Sequence, residues 1–552
     1  MNLDEFDKDY LMEMMRNARE LVDSTSISAE ISELRAQERR RMEKNAGGRP
    51  AYLDDRAIMV AVVTLALLDQ PLLLTLATNL LARFGDDELG EFGISFGQTT
   101  PDALYHRVHR AWQRLVTVID PYPYPKHRLL TKDEWEEVQS KLDHTVAKQK
   151  KETLHQLCNR LLEASYGWAL GKDPDAFAGF NNIYCIDATL VPVHGKRGTT
   201  LGSKYVSWEA NAGWYTREGD HRDTGQGRRA KIVWGYEATL AVLAADSLDD
   251  GFPRIVLGIG FGRPGVGVAE HARRIFASVV ERNHQPGWVV ADRAYLPDSK
   301  DEKLQIPLRE MGFELCFDYT VSQLGISENY RGAIQVEGGW FCPAMPTALV
   351  DATKDFRAGT INEETYRARI EARRAYRFRP AAKPQDNGSV VMMCPAYGVS
   401  ATAVCPVKKS MRTNTAGLLH IQNPPKDLDA VCTNKTTTTF VGSAGAKLAQ
   451  GLLYGSPEWH KRYSHARNTI EGFNGYLKDA SHGALHDGGR RRVAGFASQF
   501  LFTTFITLAA NVRKINSFVA AKAANTINRL PKPRRRDRLG NYQSDQETPP
   551  GS

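Results

Sequence analysis

Between Ile183 and Phe317 the sequence alternates between short apolar runs and longer amphipathic ones, an order that few folds accommodate. Ile183–Asp187 (IYCID), Ile232–Leu243 (IVWGYEATLAVL) and Arg254–Gly260 (RIVLGIG) read as strands. Val268–Asn283 follows as an amphipathic helix, Trp288–Asp292 (WVVAD) as a strand, Ser299–Met311 as a helix and Phe313–Phe317 (FELCF) as a fifth strand. The order β-β-β-α-β-α-β predicts an α/β domain, a mixed sheet flanked by helices.

The rest of the chain differs in texture. Residues 1 to 46 read as a charged helix ending in Arg39-Arg40-Arg41, before Gly47-Gly48-Arg49-Pro50 breaks it. Helical periodicity dominates from Leu53 to Leu170, including Lys132–Leu162 and a helix over Asp102–Val118 with Thr100 as N-cap and Pro101 at its first position. Arg107, His109, Arg110 and Arg114 form a basic stripe on that helix, suited equally to solvent or to DNA. Ala57–Leu68 is almost wholly apolar, but Asp69, Gln70 and Pro71 interrupt it. Two buried helices around a Pro-initiated turn fit better than a membrane span, which needs about 18 uninterrupted residues.

From 319 to 445 the alternation gives way to β-like pieces, Gly/Pro turns and one charged helical stretch, Glu363–Arg377. Helices resume at Pro457–Leu477 and Ala494–Val512, and a Pro/Arg tail closes the chain. The expected units are a helical N-terminal region (1–180), the first part of an α/β core (181–318), a β-rich insertion (319–445), closing helices (446–520) and a basic disordered tail (521–552).

Composition adds bounds. The 552 residues are 42% hydrophobic and carry a net charge of +8, which excludes wholesale disorder. Seven cysteines, an odd number without a CxxC pair, argue for a reducing compartment. The start, MNLDEFDKDYLMEMM, lacks the basic and apolar regions of a signal peptide. A cytoplasmic protein with no membrane partner is expected.

Three carboxylates stand where chemistry would want them. Asp187 and Asp292 end the first and fourth expected strands, and Glu471 lies in YSHARNTIEGFNGYLKD with Arg467 four residues before it and Lys478 seven after. Those offsets put Arg467, Glu471 and Lys478 on one helical face. Two aspartates from neighbouring strands plus a helical glutamate suit a pair of hard, oxygen-preferring Mg²⁺ ions. Such a pair clamps the attacking and leaving oxygens of a phosphoryl displacement.

In this respect the sequence resembles the DDE transposases of bacterial insertion sequences. The resemblance rests on Asp187 in CIDAT, Asp292 in VVADRAY and the late Arg-x3-Glu-x6-Lys helix, and it extends over residues 50 to 515. The WGYEATLAV run around Gly235 and Tyr236 resembles the family's second strand, and the Cys-Pro texture at Cys342, Cys394 and Cys405 its insertion. The 179 positions from Asp292 to Glu471 are similar to the subgroup with a β-rich insertion before the glutamate. Relatives there carry a Tyr-Arg-Glu-Lys signature; Tyr463 stands one residue farther from the arginine than that spacing. The resemblance implies a ribonuclease-H-like catalytic core split by the insertion. It implies Asp187, Asp292 and Glu471 as catalytic ligands of Mg²⁺ or Mn²⁺, with Arg467 and Lys478 on DNA phosphates. Its implied partners are double-stranded DNA, at element ends and target, and a second copy of the chain when assembled on DNA. The implied setting is the bacterial nucleoid. A non-catalytic DNA-binding descendant, or another metal-dependent nuclease of the same fold, is the alternative.

Rival signals are weaker. Gly260-Phe-Gly262-Arg-Pro-Gly265 matches a dinucleotide fingerprint, but Pro264 removes an amide and Asp292 comes too late, so a plain turn is expected. His482 and His486 read as loop histidines, and Trp340 as core. Cys342, Cys394, Cys405 and Cys432 all fall in the insertion and could clamp a structural Zn²⁺; spacings of 52, 11 and 27 hold no knuckle pair, which favours buried reduced thiols. Lys196, Arg197, Arg228, Arg229, Lys231 and Arg534–Arg536 add positive charge suited to a DNA-facing crevice.

Overall fold

The computed structural model describes residues 3–41, 51–97, 99–126, 128–195, 203–217, 231–247, 251–292, 295–296, 299–385, 387–408 and 411–524. The basic residues at 196, 197, 228, 229 and 534–536 and the Gly-Gly-Arg-Pro break lie outside them.

The fold is mixed α/β, built on a six-stranded sheet: β1 (Ile183–Pro192), β2 (Gly213–Arg217), β3 (Lys231–Ala244), β4 (Val256–Gly262), β5 (Trp288–Ala291) and β6 (Glu314–Phe317). The buried run Ile183–Ile186 puts β1 in the middle. It pairs antiparallel with β3 over ten residues and parallel with β5, which pairs parallel with β6. β2 and β4 share the far edge of β3 end to end, against residues 231–235 and 237–242. β2 falls in a stretch whose sequence reads as loop; the long β3 gives it a partner.

The helical expectations hold with several breaks, one of them in Ser299–Met311, which is a 3-10 turn (Asp301–Lys303) and a short helix (Gln305–Glu310). The apolar stretch forms Asp55–Leu67 and Leu74–Ala82, and Pro101–Ile119 starts at Thr100, whose hydroxyl accepts from the Ala103 amide. Lys132–Leu162 is not one helix: Asp143 accepts from the Thr145 and Val146 amides and begins a second, His144–Lys172, after Lys132–Ser140. The first 46 residues likewise divide into Lys8–Asp23 and Ile27–Arg41. Between them the Ser24 and Thr25 hydroxyls bond back to carbonyls, and Ser26 turns the chain at φ 55°.

The N-terminal helices and the sheet share one apolar core, with His144–Lys172 and the last helix, Phe496–Ala523, both against β4. That last helix runs past the expected end at 512 and past the expected unit boundary at 520. The insertion has its own core, with Trp340 inside it. It carries a buried ion pair, Arg373 to Glu337 at 2.5 Å, which Thr353 also bonds.

An edge strand buried under helices leaves backbone groups that need partners. On β4 two asparagines supply them. Asn159 accepts from the Ile259 amide and donates to its carbonyl, both at 2.9 Å. Asn511 does the same for Val256, at 2.9 and 2.7 Å. Truncating either strands a buried amide and carbonyl, so Asn159→Ala and Asn511→Ala are each expected to cost roughly 2–4 kcal/mol. Urea unfolding measures this; a loss below about 1 kcal/mol would show that the pairing is not what holds β4.

Glu209 ties β3 to the start of the last helix. It is buried, accepting from the Tyr236 hydroxyl at 2.9 Å and the Gly495 amide at 2.7 Å. Burial pushes its carboxyl up to about 7, outweighing the two donors that lower it. The folded chain therefore binds this proton more tightly than the unfolded one. Stability contributed here should fall as pH rises from about 4.5 to about 7 and stay level above. Glu209→Gln should flatten that slope in a pH series of melting temperatures; an unchanged slope would place the titration elsewhere.

Candidate active site

β1 and β5 run parallel with Ile186 opposite Ala291, so the next residues, Asp187 and Asp292, emerge side by side. Asp292, expected as the last residue of its strand, directly follows it, because β5 ends at Ala291. Asp187 does not end its strand: it is fifth of ten, because β3 is long enough to pair it with Leu240 and to continue to Pro192. Its backbone is therefore held within the β3 ladder, which continues past it.

The helix Pro457–Lys478 brings the third acid. Ser456 caps it, Pro457 begins it, and Trp459, Ala466, Ile470, Phe473 and Leu477 are buried along it as it crosses β1, β3, β5 and β6. Beside that apolar stripe stand Arg467, Glu471 and Asn474, at steps of four and three that keep them on one face.

Arg467 is the centre of the cluster. Its guanidinium lies 3.4 Å from Asp187, 3.6 Å from Asp292 and 3.3 Å from Glu471. Asn474 donates to Asp187 at 3.4 Å, a long bond. The side chains range from 13% exposed for Arg467 through 21% and 44% for Asp187 and Asp292 to 62% for Glu471, so the site has a closed floor and an open rim. Burial raises the Asp187 carboxyl, Arg467 pulls it back, and repulsion from Asp292 and Glu471 adds to the rise. Burial would lower Arg467, but Asp187 and Asp292 outweigh it and its pKa is raised. Two buried polar atoms here, Arg467 Nη1 and Asn474 Oδ1, make no hydrogen bond.

The expected residues meet, with one exception. Lys478, half-buried at the end of the helix, stands about 10 Å along the axis from Glu471. Tyr463 stacks on Trp459 with ring centroids 4.7 Å apart, so it shapes the start of the helix. The sequence reading missed Asn474, although its offset of three from Glu471 was a usable signal. Among the described residues no three His, Cys, Asp or Glu side chains are grouped at metal-holding spacing, and here Arg467 stands among the acids.

Two rival motifs find ordinary explanations. Gly260 and Gly262 face the His271 ring, where an added Cβ would come within 2.9 and 2.7 Å of it, so these glycines make room for a buried imidazole. In the basic stripe, Arg107 lies over the Tyr52 ring at 3.9 Å and Arg114 donates to the Leu53 carbonyl, which leaves His109 and Arg110 exposed. No helix among the described residues is long and apolar enough to cross a membrane.

No family model matches the chain, and neither a curated protein nor a solved structure matches it.

Removing the guanidinium leaves three carboxylates facing one another. Arg467→Gln should cost about 1–3 kcal/mol near pH 7, discounted for the exposed rim. The difference from the natural chain should shrink as pH falls through the carboxylate range near 4, because protonated acids no longer need the cation. Denaturation at pH 7 and pH 4 tests this; an equal loss at both would mean that Arg467 acts through packing.

Proposed function

We propose that the protein is a DDE-type transposase that cleaves one DNA strand at an element's end and joins the freed 3′-hydroxyl to target DNA. The observation that carries this reading is the convergence of Asp187, Asp292 and Glu471 on Arg467. The strand order β4-β3-β1-β5-β6, three antiparallel strands followed by two parallel ones, supports a ribonuclease-H-like reading of the sheet.

The donor set fits divalent cations. Among the described residues three carboxylates gather around one guanidinium, all of them hard oxygen donors, and the buried Asn474 Oδ1, which makes no hydrogen bond, adds another. Asp187, Asp292 and Glu471 would hold Mg²⁺ or Mn²⁺, which when bound supplies charge neutralisation and an acidified water for phosphodiester hydrolysis. The chain's own residues do the rest. The β1 ladder fixes Asp187, while Glu471 forms an open wall through which a phosphodiester can enter. Arg467 keeps the three acids from splaying apart, with its Nη1 3.4 Å from Asp187. Lys478, farther along the helix, would meet a backbone phosphate.

A second reading, a DNA-binding descendant without chemistry, is favoured by the ion pairs that Arg467 makes with all three acids. One experiment separates the two. The full chain is incubated with Mg²⁺ and duplexes taken from the DNA flanking its gene, beside Asp187→Asn, Asp292→Asn and Glu471→Gln. Cleavage and strand transfer should fall on the order of 100-fold or more in each variant, with DNA binding kept. Binding without cleavage by the natural chain would favour the second reading; full activity in EDTA would overturn the metal mechanism.

A further inference from the structure

Past the helix that carries Glu471 the chain makes a compact basic loop. Gly483 and Ala484 turn it at φ 96° and 48°, and the Leu485 amide bonds back to the Leu477 carbonyl, so the loop stays against the end of the helix. Asp487 accepts from the Gly489 amide and opens a 3-10 turn, Gly488–Arg490, which runs on into Arg491 and Arg492. Gly488 lies directly on the chain leaving β1: an added Cβ would come within 2.6 Å of the Val193 carbonyl carbon and 2.9 Å of the His194 amide nitrogen. Only glycine permits that approach.

The main chain, not acids, holds the three arginines. Arg490 donates to the Asp69 carbonyl, in the turn between the two apolar helices. Arg491 is wholly buried and donates to the Pro192 carbonyl at 2.9 Å and the Leu485 carbonyl at 2.8 Å, which ties the end of β1 to the loop. Arg492 is exposed and bonds within its own turn, to the Gly489 carbonyl at 3.2 Å. The nearby carboxylates are engaged elsewhere: Asp69 pairs with Arg513 at 2.9 Å, and Asp487 caps the turn. Carbonyls orient a guanidinium without cancelling its charge, so the loop keeps its cations in fixed places. Burial lowers Arg491 to about 10, which leaves it charged at neutral pH. Burying a cation that closes no ion pair is costly, and a merely solvated turn gains nothing from it.

The loop also stands at a useful distance from the three acids. Pro192 is five residues past Asp187 on β1, so the loop begins about 17 Å from that carboxylate along the strand. This is the rise of about five base pairs of duplex. Lys478 adds a cation at the helix end from which the loop starts. From this arrangement we infer that the loop Gly488–Arg492 is a docking ridge for the phosphate backbone of duplex DNA beside the cleaved bond, anchored by Arg491 and making its contact through Arg492. The inference rests on the transposase reading for the identity of the polyanion, and adds to it a contact outside the acid cluster. A guanidinium fork matches a phosphate, and cations held this rigidly suit a polyanion of regular spacing better than a pliable acidic peptide.

The test reads binding in EDTA, so cleavage does not enter it. The full chain is titrated against a fluorescent duplex taken from the DNA flanking its gene, at several salt concentrations. Beside it stand Arg492→Ala, Arg492→Lys and Lys141→Ala, the last an exposed cation on a different helix. Arg492→Ala should bind about eightfold more weakly at about 0.1 M salt, and its slope of log affinity against log salt should be shallower by about 0.9. Arg492→Lys keeps the charge and should keep the slope, and Lys141→Ala should bind as the natural chain does. An Arg492→Ala chain with the natural affinity and slope would overturn this inference and leave the transposase reading standing. Equal losses in Arg492→Ala and Lys141→Ala would trace the effect to net charge and overturn it as well. A natural chain that binds no duplex would overturn both readings, and one that prefers polyglutamate to duplex would give the ridge to an acidic protein instead.

Discussion

The mixed pairing of β1 is the constraint from which the site follows. Parallel pairing with β5 sends both strands in one direction, so the residues after Ile186 and Ala291 must emerge together. Antiparallel pairing with β3 then fixes β1 well beyond Asp187, as far as Pro192. The first relation brings two carboxylates to one place, and the second prevents the strand end from fraying to relieve their repulsion. Arg467 answers that repulsion from the helix above. The helix in turn is held by an apolar stripe that crosses four strands, so the cation's position is set by packing and not by the acids it neutralises.

The length of chain between Asp292 and Glu471 raises a folding problem that the insertion solves by having its own interior. Its apolar cluster is distinct from the main one, and its central charge, Arg373, is paired inside it. A segment that buries its own surface can be carried in a loop at a modest entropic cost, because closing a longer loop adds only slowly to the penalty. The N-terminal helices are the opposite case. They share the main core, and Asn159 and Asn511 complete the hydrogen bonds of β4, so the sheet depends on helices from both ends of the chain.

What was legible in the sequence was local. The strands β1, β3, β4, β5 and β6 stand out because they are apolar runs between turn signals, and the Arg467–Glu471 pair because a helix puts steps of four on one face. Boundaries were less legible. The end of β1 depends on the length of β3, and the break before His144 depends on a single aspartate that can serve as a cap or as an ordinary helical residue. Least legible were relations made by folding alone. Nothing near Asn159 or Asn511 marks them as partners of a strand edge, and Glu209 sits in an unremarked SWEAN segment.

The graded exposure of the three acids bears on how such a site can work. A fully buried triad would pay heavily to ionise, whereas a fully exposed one would let water and salt screen its field. Here the most buried carboxylate is on the stiffest element, and the most exposed is on the helix. Asp187 and Arg467 thus keep a fixed, strongly interacting floor, with burial and the guanidinium acting on the same carboxylate in opposite directions. Glu471, at the rim, can turn toward a ligand or toward solvent without disturbing the sheet. A polyanion approaching that rim meets carboxylates first, so positive charge, from bound cations or from basic residues around the opening, favours its approach. Sheet register, helix packing and electrostatics therefore converge on one arrangement: three carboxylates held at one place around a guanidinium, graded in exposure from floor to rim.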